Sequence, residues 1–376
     1  MNIKTGLASS EAVLSALLAC AALVATNSTF ASGDVCPCAT DLNNDGVTDA
    51  ADLAIQLGAW GSNGLPDLNA NGTTDAADLA ILLGAWGPCA APINDNCDQA
   101  ILLEGETVVH EFCNSSATDT SLFFPTLCGD DRATIGKDIW FRYYPPYPGK
   151  LIVHTYDSEF DTVLGAYLLM LDGVCTCPDS FWVTYALTDC SDDANGGVTS
   201  YIEFDTNPND CINIRVGGYK FSNGDVDEGP GLLTIRPIKR GDRCDVPNLL
   251  PSTNHVEVLG TNAGDTWLQA DLSSCALNDD RDEWYQYVMA STGTARISTC
   301  SAATDFDTTL AVYSDCNGPG DEIACNDDSP TVGCQLGGFN RKSELFINAQ
   351  IGDYLYIRVS GYQSAVGNFK LTVDID

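Results

Sequence analysis

The chain has 376 residues, with 17 Lys or Arg against 52 Asp or Glu and a formal net charge of −35. So anionic a surface excludes nucleic acid and anionic membrane faces as partners, while 44% hydrophobic residues suffice for two or three ordinary cores. Only 11 of the 52 acids are Glu, so 52 minus 11 leaves 41 Asp. That excess points to turns and cation ligands rather than helices, and solubility in a salty setting accounts for part of it.

Lys4 precedes an apolar run from Ala12 to Val24 that ends near Thr29-Phe30-Ala31. Residues 1–31 read as a secretory signal with a small-residue cleavage site, because the run is short for a spanning helix. Its removal takes Cys20 from the 17 cysteines and leaves 16. An even number in a secreted chain predicts disulfides rather than zinc.

The segment Asp41 to Gly61 is repeated almost residue for residue from Asp67 to Gly87. An EF-hand type loop needs oxygen ligands at positions 1, 3, 5, 9 and 12, a backbone carbonyl at 7, and Gly at 6 where the chain turns sharply. The first copy places Asp41, Asn43, Asp45, Asp49 and Asp52 in that register, with Gly46 at the turn and Val47 at the carbonyl position. The second places Asp67, Asn69, Asn71, Asp75 and Asp78, with Gly72 and Thr73. Calcium, a hard cation, is the metal expected. Four carboxylates in the first loop against three in the second predict tighter binding at the first. Position 12 is Asp rather than the longer Glu, which suits a loop with no entering helix.

After each loop comes helical spacing, with Leu53, Leu57 and Trp60, then Leu79, Leu83 and Trp86, at i, i+4 and i+7. Two such loop–helix units resemble a dockerin module, here within residues 32–92. The resemblance implies a cohesin partner touching loop positions 10 and 11. Those are Ala50-Ala51 and Ala76-Ala77, in place of the hydroxyl residues usual in cellulosomal dockerins. Gln56-Leu57 and Leu82-Leu83 stand where basic residues usually follow.

Pro88 to Pro92 forms a linker, and a longer internal repeat follows, dividing the rest into domains 93–239 and 240–376. Asp138-Ile139-Trp140-Phe141 answers Asp282-Glu283-Trp284-Tyr285, and Phe160-Asp161-Thr162 answers Phe306-Asp307-Thr308. Ile214-Arg215-Val216-Gly217-Gly218-Tyr219 answers Ile357-Arg358-Val359-Ser360-Gly361-Tyr362. Short alternating runs such as Leu151 to Thr155 and Phe369 to Val373, bounded by Gly, Asn, Asp and Pro, predict two antiparallel β-sandwiches of jelly-roll-like form. The expected fold class is therefore mostly β, preceded by a small helical calcium module. The order of motifs over residues 93–376 resembles the pre-peptidase C-terminal domains of secreted bacterial enzymes, in a cysteine-rich version. That resemblance implies an accessory binding or solubilising role.

Matching positions in the two copies suggest the pairs Cys97 with Cys128 and Cys244 with Cys275, then Cys316 with Cys325, and leave Cys300 with Cys334 by remainder. Cys36, Cys38 and Cys89 are expected to clamp the ends of the first module. Cys113, Cys211, Cys175, Cys177 and Cys190 stay open, because spacing does not decide connectivity.

Catalytic signals are missing. The three histidines, His110, His154 and His255, sit in unlike contexts, and no Gly-x-Ser-x-Gly elbow or His-Glu-x-x-His helix occurs. Asp161 with Asp192 and Asp193, repeated as Asp307 with Asp327 and Asp328, reads as turn capping or as a structural calcium site. Trp182, Tyr185 and Trp267 are candidates for stacking on sugar rings. The expectation is a secreted, non-catalytic, calcium-binding modular protein that attaches through its first module to a cohesin-like or other extracellular protein, or to a second copy. Two alternatives are a structural subunit of an extracellular layer or fibre and a carbohydrate-binding accessory protein of a polysaccharide-degrading system.

Overall fold

The structure is a computed structural model that describes residues 38–376 apart from 44, 65, 120–133, 169, 172–173, 179–186, 264–272, 277 and 318. The signal segment, Cys36, Cys128, Trp182, Tyr185 and Trp267 lie outside the described residues. The chain divides into two compact units, Met1–Pro88 and Cys89–Asp376.

In the first unit, helices α1 (Ala50–Gly58) and α2 (Ala76–Gly84) each start from an aspartate cap. Asp49 accepts from the Ala51 amide while Asp52 accepts from the Asp49 amide, and Asp75 with Asp78 repeats this capping box. Strand β1 (Val47–Thr48) pairs antiparallel with β2 (Gly87–Pro88), so Thr48 lies opposite Gly87 just after α2. Its counterpart Thr74 bonds to Gly61 and Ser62 just after α1, at 2.8 and 3.0 Å. Each loop is thus tied to the end of the other helix, which closes the unit about a pseudo-two-fold.

The helix stripe read from spacing faces outward. Leu57 and Trp60 are 51% and 48% exposed and Leu83 and Trp86 are 51% and 49%, whereas α1 buries Asp52 and Gln56 and α2 buries Asp78 and Leu82. A carboxylate at loop position 12 has to reach the loop's amides, and this sets the rotation of the helix. Residues four further on are carried inward with it.

The second unit holds two sandwiches. Strands β3 (Ile101–Leu103), β4 (Val108–Cys113), β5 (Ile135–Tyr143), β6 (Gly149–His154) and β7 (Thr162–Leu168) are followed by a ribbon of β8 (Met170–Leu171) and β9 (Val174–Cys175). Then come β10 (Leu187–Ser191), β11 (Tyr201–Thr206), β12 (Ile212–Tyr219) and β13 (Pro230–Lys239). They form a five-stranded sheet in the order β10-β7-β12-β5-β3 and a four-stranded sheet in the order β11-β6-β13-β4. The next set is β14 (Asn248–Leu249), β15 (His255–Thr261), β16 (Asp282–Val288), β17 (Gly293–Ser298), β18 (Thr308–Tyr313) and β19 (Glu322–Asn326). A short ribbon of β20 (Gln335–Leu336) and β21 (Phe339–Asn340) precedes β22 (Glu344–Ala349), β23 (Tyr354–Gly361) and β24 (Asn368–Ile375). Their orders, β14-β16-β23-β18-β19 and β15-β24-β17-β22, repeat the first sandwich. Alternate residues such as Phe141, Leu151, Val216 and Ile235 fill one core, and Tyr287, Ile297, Val359 and Leu371 fill the other.

The repeated motifs meet across these sheets. Arg215 lies opposite Trp140, and Arg358 lies opposite Trp284. Arg215 Nε stands 2.9 Å from Asp138, and Arg358 bonds Asp282 at 2.6 Å and Asp279 at 2.8 Å with none of its side chain exposed. Each guanidinium also lies over its tryptophan, at 5.6 and 5.9 Å.

One packing detail is reversed between the sandwiches. In the first, Phe112 on edge strand β4 is paired with Gly231 on β13. In the second, edge strand β15 supplies Gly260 and the inner strand β24 supplies Phe369. A Cβ on either glycine would strike its partner's ring, so one ring fills one site from opposite sides.

The disulfides correct the expected pairing. Cys244 bonds Cys316 and Cys275 bonds Cys325, not Cys244 with Cys275 and Cys316 with Cys325. Cys325 faces Ala311 in the β18–β19 hairpin while Cys316 lies beyond the end of β18, so each of the two earlier cysteines staples a different end of that hairpin. Cys97 bonds Cys177 rather than Cys128, Cys175 bonds Cys211, and Cys300 pairs with Cys334 as expected. Cys38, Cys89, Cys113 and Cys190 are also disulfide-bonded. Such a set belongs to an oxidising, extracytoplasmic setting.

Candidate metal centre

In the first loop the carboxylates organise the backbone from within. Asp41 accepts from the Asp45 and Gly46 amides at 3.1 and 2.6 Å, Asn43 accepts from Asp45 at 3.1 Å, and Asp45 accepts from Val47 at 3.0 Å. Asp52, fully buried, takes the amides of Leu42, Asn43 and Asp49 at 2.6, 3.2 and 2.7 Å. The second loop repeats the pattern. Asp67 accepts from Asn71 and Gly72 at 3.1 and 2.6 Å, Asn69 from Asn71 at 3.0 Å, and Asn71 from Thr73 at 2.9 Å. Buried Asp78 accepts from Asn69 and Asp75 at 3.0 and 2.7 Å. Gly46 and Gly72 turn with φ of +86° and +93°, where a side chain would be strained.

The side chains expected at ligand positions therefore lie on one short loop in each copy, with Asp52 and Asp78 contributed from the first turn of the helix that follows. Every donor is oxygen, which suits a hard divalent cation. Burial pushes the Asp41 carboxyl above its ordinary range although the Gly46 and Asp45 amides pull against this, and the nearby Asp52 and Asp45 charges push it further up. Like charges crowded this way are relieved by a cation. Burial also pushes Asp78 up, but amide donation from Asp75, Asn69 and Leu68 outweighs it and holds that carboxyl low. Asp49 and Asp75 at position 9 already cap their helices.

The two acidic groups in the sandwiches converge more closely. Ligand oxygens of Asp161, Asp192 and Asp193, and of Asp307, Asp327 and Asp328, lie within 4.8 Å of one another; among the described residues the loop carboxylates form no such triad. A signal the sequence reading passed over, three buried hydroxyls, holds each group in place. Ser200 links Thr162 and the Asp192 carbonyl at 2.6 and 2.9 Å, with Thr155 2.6 Å from Thr162. Ser343 likewise bonds the Thr308 carbonyl and, at 2.6 Å, the Asp327 carbonyl, with Thr299 2.7 Å from Thr308.

Burial, with Asp328 and Asp307 adding repulsion, pushes Asp327 up to about 6. Between about pH 4 and 6 the unfolded chain has released a proton that the folded chain retains, so rising pH across that window destabilises the fold. Asp327→Asn is expected to raise the melting temperature at pH 7 in chelator and to lose this advantage at pH 4. An equal melting temperature at pH 7 would contradict the crowding.

Residues 242–373 match a family described as galactose binding domain-like. No curated protein matches the chain. Among solved structures, the pre-peptidase C-terminal domain of collagenase from Bacillus anthracis is 17% identical, covering 34% of this chain and 93% of that one, with a TM-score of 0.21. Tripeptidyl peptidase 2 is 11% identical over 73% of this chain and 24% of that one, with a TM-score of 0.21. The ANX2 ectodomain from Arabidopsis thaliana is 11% identical over 73% and 89%, with a TM-score of 0.18. No helix among the described residues is long and apolar enough to cross a membrane.

Proposed function

We propose that the protein is a non-catalytic extracellular accessory protein that holds polysaccharide through its sandwich region, with a calcium-ordered, dockerin-like module in front of it. The carbohydrate part is carried by the match of residues 242–373 to the galactose-binding-like description. Retention on a panel of galactose-containing and other polysaccharides is the test. Binding to at least one polymer, competed by its soluble oligosaccharide, is expected, and passage through every column removes the reading.

The two loops support the calcium part. In each, Asp, Asn and the carbonyl of Val47 or Thr73 would hold one ion, which would fasten the loop to the helix that follows. The outward apolar face, Leu57 and Trp60 with Leu83 and Trp86, supports attachment to a second protein, cohesin-like or another copy of this chain. Solution mass in calcium against chelator separates these. A calcium-dependent dimer speaks for self-assembly, and a monomer in both speaks for a different partner.

A further inference from the structure

A groove of about 900 Å³ opens along the second sandwich, a size ordinary for ligand clefts. Its walls include residues 248–250, in and just after β14, and 258–261 on β15. Side chains alternate across a strand, so consecutive lining residues mean that strand edges, not faces, border the groove. Both strands end their sheets, and β15 is paired only with β24 among the described strands.

The groove has an apolar lining and one cationic mouth. Leu249 is 63% exposed at one border, and Tyr285 and Phe369, both buried, close the floor edge-to-face with ring centroids 6.1 Å apart. Lys239 is matched by Glu283 at 3.6 Å, but Arg240 beside it makes no ion pair among the described residues. In a chain of net charge −35, an unmatched arginine at a groove mouth is a local inversion of sign.

We propose that this groove receives an extended peptide segment of a partner protein. The segment adds as a strand along β15, turns alternate apolar side chains onto Leu249 and the half-buried Val258, and sets a carboxylate against Arg240. An edge seven residues long offers backbone donors and acceptors that an extended chain satisfies in register. This assignment is independent of the calcium loops and of the polysaccharide reading.

The probe is a fluorescein-labelled heptapeptide of alternating Thr and Val ending in Asp with a free carboxylate, followed by anisotropy on the full chain. Saturable binding is expected. N-methylation at alternate residues, which leaves the protein untouched, weakens it by more than about ten-fold because it removes strand pairing. Arg240→Glu, checked for unchanged circular dichroism, weakens it by about five-fold at low salt and less at high salt. Absence of saturable binding, equal affinity for the methylated peptide, or displacement of the probe by soluble polysaccharide alone would overturn the assignment.

Discussion

An Asp41→Ala, Asp67→Ala double variant is expected to lose both calcium-binding events in calorimetry. Each aspartate supplies loop position 1 and accepts two loop amides, Asp45 and Gly46 in the first copy and Asn71 and Gly72 in the second. Its removal takes away a ligand and the acceptor that shapes the loop. With free calcium at about 100 times the dissociation constant, each site contributes roughly 2.7 kcal/mol to the folded state, so the variant's calcium-dependent gain in stability should vanish. Single variants should show the first loop, with its four carboxylates, to be the tighter site. Unchanged stoichiometry in the double variant would end the calcium assignment.

The second large effect concerns Arg358. Its guanidinium, wholly buried, satisfies Asp279 and Asp282 and lies over Trp284. Arg358→Ala leaves two carboxylates buried without their cation, a loss of about 3–5 kcal/mol, which for a domain of this size lowers the melting temperature by about 10 °C. Arg358→Lys should recover little, since an ammonium cannot reproduce the fork that reaches both acids. A melting temperature within about 2 °C of the parent would show that the cluster carries little of the fold's stability.

Much of this architecture was legible because it is written twice. The two Asp-x-Trp motifs and the two Ile-Arg-Val motifs could be matched without knowing that they face one another, and the sheets set them directly opposite. The sharp turn in each loop was readable for the same reason, since Gly46 and Gly72 stand at matching places and both take positive φ. Helix rotation was not readable. Hydrophobic spacing picked out Leu57 and Trp60, but the amides gathered by Asp52 decide which side turns inward.

Disulfide connectivity failed for a similar reason. Repeat matching aligns Cys244 with Cys97 and Cys275 with Cys128, yet it carries nothing about which strand end each one reaches. The hydroxyl trios escaped notice because Ser200 is 38 residues from Thr162 and all three residues are common in type. The groove beside β15 and the exchange of Phe112 and Gly231 for Gly260 and Phe369 also escaped, since neither has a periodic signature.

That exchange of glycine and phenylalanine also bears on how two look-alike neighbours avoid misassembly. Tandem homologous domains are prone to trading equivalent strands while they fold. If β15 docked against β13, Gly260 would face Gly231 and leave a hole the size of a ring. If β4 docked against β24, Phe112 and Phe369 would compete for one place. The mismatch makes both hybrids poorer than the parents, so each sandwich accepts its own edge strand and rejects its sibling's.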